Sequence, residues 1–171
     1  MKISAICTGN ICRSPIAEVI LRALISDDPL LDGHVEVTSA GTARWHVGSP
    51  MDQRSQRALQ RAGYRDEGTL GAFADFSYLD SHDLVLVMTR EHVREIRDRR
   101  AGIEIVLLRS LLGAELDVPD PYYGDDDEFD ECLRLIERGC REMIPLLRER
   151  VRAEQLAAGS NSRETPTLPR E

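Results

Sequence analysis

Short apolar runs alternate with stretches of helical spacing over the first 150 residues, and that alternation leaves few folds open. Lys2 to Ile6, Val35 to Ser39, Leu84 to Met88 and Ile103 to Leu108 read as strands. The Leu84 run is apolar almost without a break, as expected of a parallel strand covered on both faces. A helix should open at Ser14-Pro15, where Ser can cap free amides and Pro fits the first turn. It carries Ala17, Ile20, Leu21, Leu24 and Ile25 and should stop near Asp28, because Pro29 disfavours helix just before it. A second helix covers Asp52 to Ala62 and ends at Gly63; a charged third runs from Arg90 to Arg99. The last helix should span Asp127 to Val151, with Phe129, Leu133, Ile136, Cys140, Met143, Leu147 and Val151 in one stripe and a candidate kink at Pro145. Residues 41–50 and 118–124 read as loops, and 66–76 carry no clear period. Strands alternating with helices give an α/β fold: a single domain with a central parallel sheet of about four strands and helices on both faces. That domain covers residues 1–152. Residues 153–171, with Gly, Ser, Asn, Thr and two Pro, read as a disordered tail.

Charge narrows the partners. The 171 residues hold 22 Lys+Arg against 30 Asp+Glu, a net charge of −8. Non-specific nucleic-acid and anionic-membrane binding both want the opposite sign, so neither is expected. No stretch approaches the roughly 20 apolar residues of a membrane span, and the first residues are too soon interrupted for a secretory signal. Four Cys (7, 12, 132 and 140) are too few for a disulfide scaffold. Cys132 and Cys140 fall at the last helix's apolar stripe and read as core. The four His show no metal-ligand spacing, so no metal and no cofactor are expected. The chain reads as a cytoplasmic monomer.

Ligands of open parallel sheets bind at the carboxyl ends of strands. There Cys7-Thr8-Gly9-Asn10-Ile11-Cys12-Arg13-Ser14 joins the first strand to the first helix, with five residues between Cys7 and Arg13. A loop of that length can curl until its N–H groups converge. The helix start adds unpaired N–H groups and about half a positive charge. Together they make a cradle for a tetrahedral oxyanion. Arg13 can grip two oxygens with its planar fork. Gly9 permits a backbone shape or an approach that a side chain would block. Cys7 lies at the floor of a field that favours its thiolate. A thiolate below a bound phosphate can attack phosphorus, while the amides and Arg13 hold the charge on the equatorial oxygens. Ser14 could donate a hydrogen bond to the sulfur.

C-T-G-N-I-C-R-S-P within the first fifteen residues closely resembles the low-molecular-weight protein-tyrosine phosphatases. The resemblance continues with S-A-G-T at Ser39 to Thr42, W-H-V-G at Trp45 to Gly48, P-M-D-Q-R at Pro50 to Arg54 and D-P-Y-Y-G at Asp120 to Gly124, in the family's order, over residues 1 to about 150. It implies a flavodoxin-like fold and a metal-free, two-step hydrolysis of a tyrosine-phosphorylated protein. In that scheme Cys7 forms a phosphocysteine and Arg13 binds the phosphoryl oxygens. Asp120 protonates the leaving phenolate and then activates water. Thr8, Gly9, Asn10, Ile11, Cys12 and Ser14 would form the phosphate loop, with Asn10, Ser14 and Ser39 bracing it. Trp45, Tyr122 and Tyr123 would wall the cleft. Relatives with a second Cys at Cys12 use it in a reversible disulfide with the nucleophile.

Departures keep other readings open. The family's His-x-Ala-Arg stretch is missing; the region reads Gly68-Thr69-Leu70-Gly71-Ala72-Phe73, which puts loop rigidity in question. An arsenate reductase of this fold would need extra Cys after the third strand, where Met88-Thr89-Arg90 stands. Relatives that dephosphorylate arginine tend to carry Thr at Ile11 and lack the Tyr pair. A phosphoprotein-binding module without turnover would have no need for Cys7, Arg13 and Asp120 together. Asp125 to Glu131 packs six acids into seven residues, a solvated helix start or a device that repels acidic peptides.

Overall fold

The computed structural model describes residues 1–161, with side chains through residue 158. In chain order the elements are β1 (Lys2–Cys7), α1 (Arg13–Ser26), β2 (Glu36–Gly41), α2 (Gln53–Arg61), α3 (Phe76–Asp80), β3 (Leu84–Val87), α4 (Arg90–Arg99), β4 (Glu104–Leu107), a 3-10 turn (Leu108–Leu112) and α5 (Asp126–Asn161). The four strands form one parallel sheet in the order β2-β1-β3-β4. After β1 the chain moves to one side, to β2, and then crosses to the other, to β3. The strand order therefore reverses beside β1, and the crevice this opens lies at Cys7.

The period of two along each strand divides the core. Ile3, Ala5, Cys7, Leu84 and Leu86 pack on one face with α1 and α5; Ile6, Val85 and Val87 pack on the other with Leu79 of α3 and Ile96 of α4. All four residues of β3 are buried. β4, read as a buried strand, is an edge: Ile105, Val106 and Leu107 are only half-buried, because among the described residues no strand pairs with their far side.

The seven-residue stripe on α5 is fully buried, with Cys132 and Cys140 in the same core. One expectation about this helix needs correction. It runs through Pro145 as expected, but it continues ten residues beyond Val151 to Asn161. Residues 153–161, expected to be tail, are thus helical, with exposed side chains through residue 158. The remainder of that expectation, 162–171, lies outside the described residues. At the other end, Asp125 Oδ1 accepts the N–H groups of Asp127 and Glu128, while Glu128 Oε2 accepts that of Asp125 at 2.8 Å. This reciprocal capping accounts for part of the acidic run. Two more of its acids meet α2, where Arg57 pairs with Asp126 and Arg61 with Asp130. α3 starts at Phe76, the last residue of the stretch without a clear period, and is capped by Asp75 accepting from Tyr78 N–H at 2.9 Å. Among the described residues no helix is long and apolar enough to cross a membrane.

Candidate active site

α1 begins after the five residues that follow β1, and its N-cap side chain leaves the helix start uncapped. Cys12 is the N-cap residue and supplies no side-chain hydrogen bond, and the first turn holds no acid. Ser14, expected as the cap, sits one residue inside the helix, and its hydroxyl turns instead to Cys7 Sγ at 2.9 Å. The N–H groups of the first turn are left for whatever enters the cleft. Asn10 N–H also donates to Sγ, at 3.3 Å. The sulfur therefore meets an N–H from the middle of the loop and a hydroxyl from its far end, an arrangement that suits an anion.

The loop closes through Asn10, whose φ of 55° makes it the only non-glycine at positive φ among the described residues. That conformation costs on the order of 1 kcal/mol. Three side-chain bonds offset it: Nδ2 donates to Ser14 Oγ at 2.9 Å and to Ser39 Oγ at 2.8 Å, and Oδ1 accepts from Ala72 N–H at 2.8 Å. Ser39 donates in turn to Glu18 at 2.5 Å, a buried carboxylate paired with Arg22. Desolvation raises the Glu18 pKa, and the Ser39 bond and Arg22 oppose that rise. Gly9 serves the close approach expected of it: a Cβ there would lie 3.3 Å from the His46 ring.

Arg13 is buried, and its guanidinium spans the cleft floor. One nitrogen donates to Val118 O at 3.1 Å and another to Asp120 Oδ2 at 2.7 Å. Asp120 Oδ1 also accepts Tyr122 N–H at 3.2 Å, which fixes the carboxylate over the cleft. A cleft of about 300 Å³ is lined by Cys7, Thr8, Gly9, Ile11, Cys12, Arg13, Trp45, Asp120, Tyr122 and Tyr123, with His46 added. Trp45 and Tyr123 are 76% and 96% exposed, so aromatic surface is held out to solvent at the rim. Tyr122 and Tyr123 meet edge-on at 5.1 Å. Every residue expected at the site lines this cleft except Asn10, Ser14 and Ser39, which stand behind it as braces.

Several contributors carried too little signal in the sequence. His46 lies beside Trp45 in W-H-V-G, and its place against Gly9 depends on the folded loop. Arg54 grips Asp52, donates to Gly124 O at 3.1 Å and stacks over Phe129, tying α2 to the end of the Asp120 loop. Glu18 stands one helical turn after Ser14, but its tie to the loop runs through the distant Ser39, and His92 is brought near only by the fold. Burial, helped by the charge of Asp52, pushes the Cys12 thiol up to about 12, so it stays protonated beside Cys7. Among the described residues no group of three or more His, Cys, Asp or Glu could hold a metal ion.

His92 yields a stability prediction. It is 2% exposed, and burial, with Arg13 adding to it, lowers its pKa from 6.5 to about 4. Below pH 6.5 the unfolded chain takes up this proton while the folded chain does not. Stability from this group is therefore complete above pH 6.5 and is lost as pH falls towards 4. Between pH 6.5 and 5 the loss should reach roughly 2 kcal/mol. Urea unfolding of the parent and of His92→Gln at the two pH values measures it. The parent should lose about that much more than the variant.

The comparisons agree with the geometry. Residues 2–156 match the family model described as low molecular weight phosphotyrosine protein phosphatase. The chain is similar to a low molecular weight protein-tyrosine-phosphatase of Streptomyces coelicolor, 40% identical over 88% of this chain and 95% of the relative. Among solved structures, YfkJ from Bacillus subtilis superposes with a TM-score of 0.79 at 32% identity, covering 88% of this chain and 96% of that one. The YwlE arginine phosphatase, a Bacillus subtilis protein, superposes with a TM-score of 0.75 at 27% identity, covering 88% and 99%.

Proposed function

We infer the reaction from one premise: the chain belongs to the low molecular weight phosphotyrosine protein phosphatase family. The protein is a protein-tyrosine phosphatase that hydrolyses phosphotyrosine monoesters. In our reading its substrate is a tyrosine-phosphorylated protein in the cytoplasm, met by a single copy of this chain. Neither nucleic acid nor a membrane takes part, and no cofactor is required. The observation that carries the reading is the placement of Cys7 Sγ between Ser14 Oγ and Asn10 N–H, at an uncapped helix start, with Arg13 and Asp120 above it.

The steps follow from those positions. The phosphoryl group enters over Cys7, and its oxygens take the loop N–H groups and the fork of Arg13. The dianion competes with Asp120 for the same guanidinium, and this frees the carboxyl group to carry a proton. Cys7 Sγ attacks phosphorus, the P–O bond to the phenol breaks, and Asp120 gives its proton to the departing oxygen. The resulting carboxylate then takes a proton from water, whose oxygen attacks the phosphocysteine. The S–P bond breaks, phosphate leaves, and the Ser14 hydroxyl stabilises the sulfur that returns. The substrate ring lies between Ile11, Trp45 and Tyr122.

Leaving-group dependence tests Asp120. In Asp120→Asn, turnover of phenyl phosphate should fall by about 10²–10³-fold. Turnover of an aryl phosphate whose phenol needs no proton, such as a dinitrophenyl ester, should fall far less in its first step. Burst kinetics separate that step from hydrolysis of the intermediate. Equal slowing of the first step with both esters would remove Asp120 as the acid. A parallel assay with phosphoarginine addresses the likeness to the arginine phosphatase; a preference for phosphoarginine would reverse the substrate assignment.

A further inference from the structure

Thr8 follows the nucleophile directly, lines the cleft, and holds its Oγ1 2.9 Å from Nε2 of His92 on α4. The other ring nitrogen of His92, Nδ1, is buried and has no hydrogen-bond partner among the described residues. His92 is placed by the helix start, where its own N–H donates to the Thr89 N-cap hydroxyl at 3.2 Å. The two nitrogens of a neutral imidazole are one donor and one acceptor. A buried N–H without an acceptor is the rarer and costlier orphan, while a lone pair without a donor is better tolerated. The tautomer that fits therefore carries its proton on Nε2 and donates it to Thr8 Oγ1. A hydroxyl oxygen that accepts from His92 keeps its own hydrogen for another partner, and the side of Thr8 that remains open is the cleft.

We infer that His92 is a positioning residue of the phosphate site: by donating to Thr8 Oγ1 it turns the Thr8 hydroxyl into a donor aimed at the phosphoryl oxygens. The proposal rests on the phosphatase reading and adds a side-chain donor to the main-chain cradle. His92 acts as the neutral ring. The groups that face it are Arg13 from α1 and Asp117 from the segment after the 3-10 turn, besides Thr8 itself. A second proton would place an N–H where no acceptor stands and a charge beside Arg13. Both oppose protonation, in accord with the low pKa of the ring.

The test uses inorganic phosphate as the probe, titrated calorimetrically at pH 7, so that affinity is read without turnover. Thr8→Val and His92→Leu should each weaken phosphate about tenfold, the order of one hydrogen bond to a charged group. The double variant should be no weaker than either single variant, because both remove the same donor. His92→Gln, which can still donate an amide N–H, should regain most of the affinity. A nitrogen-detected NMR spectrum of the parent should show the ring neutral and protonated at Nε2. Phosphate affinity unchanged in His92→Leu, additive losses in the double variant, or a ring protonated only at Nδ1 would each overturn the proposal. A melting temperature for every variant identifies one that is not folded, and the tautomer measurement on the parent decides in that event. If phosphate binds in this His92-dependent way but phosphotyrosine is never hydrolysed, the catalytic reading fails and this inference stands.

Discussion

Cys7→Ser should lose at least about 10⁴-fold in kcat on aryl phosphates while still binding inorganic phosphate. The hydroxyl that replaces the thiol is a far weaker nucleophile and has no general base beside it; Ser14 and Asn10 N–H are donors that favour a sulfur anion. The cradle is otherwise untouched, because the bonds from Asn10 to Ser14 and Ser39 do not involve Cys7. Loss of turnover with retained affinity separates the nucleophile from the binding site. Calorimetry for phosphate and a discontinuous phosphate-release assay provide the two numbers. Turnover within tenfold of the parent would mean that Cys7 is not the attacking atom.

Arg13→Lys should cost about 10³-fold or more in kcat/KM, with kcat falling and KM rising together. The guanidinium reaches Val118 O and Asp120 with two different nitrogens at 3.1 and 2.7 Å, and its planar fork can exchange these partners for two phosphoryl oxygens. An ammonium is a single point and cannot span both. Arg13 is only 5% exposed, moreover, so a lysine in its place would bury a strongly hydrated charge that the site does not fully satisfy. Steady-state kinetics on one aryl phosphate is enough. A drop of less than tenfold would show that charge alone, without the fork, does the work.

Much of this site was legible because its chemistry is local. Cys7, Arg13 and the helix start lie within one loop, so spacing alone places an anion cradle there. Helices were legible too: the charged run from Arg90 to Arg99 matches α4 end to end, and the hydrophobic stripe on α5 is buried throughout. What stayed hidden depends on distant contacts. Ser14 looked like a cap because capping is read from neighbours, whereas its hydroxyl is claimed by Cys7 and Asn10. The left-handed turn fell on Asn10 rather than on Gly9, because bonds to Ser39 and Ala72 hold Asn10 there. β4 carries the composition of a buried strand but ends at the sheet's edge, a matter of strand order. α5 runs on past its last apolar anchor, Val151, and exposed polar residues give no period from which its end could be read. The missing His-x-Ala-Arg stretch raised a question about loop rigidity. Part of the bracing comes from main chain: Ala72 N–H on Asn10, and Gly71 pressed against the His46 carbonyl, where a Cβ would not fit.

The most direct test of a sulfur nucleophile is to catch it carrying the phosphoryl group. Parent enzyme mixed with an aryl phosphate and quenched in acid within milliseconds should yield a phosphorylated peptide containing Cys7, identified by mass spectrometry. The label should vanish as the turnover proceeds to completion and be absent from Cys7→Ser. If the quenched enzyme hydrolyses substrate yet never carries phosphorus on Cys7, water attacks the ester directly and the two-step account is wrong.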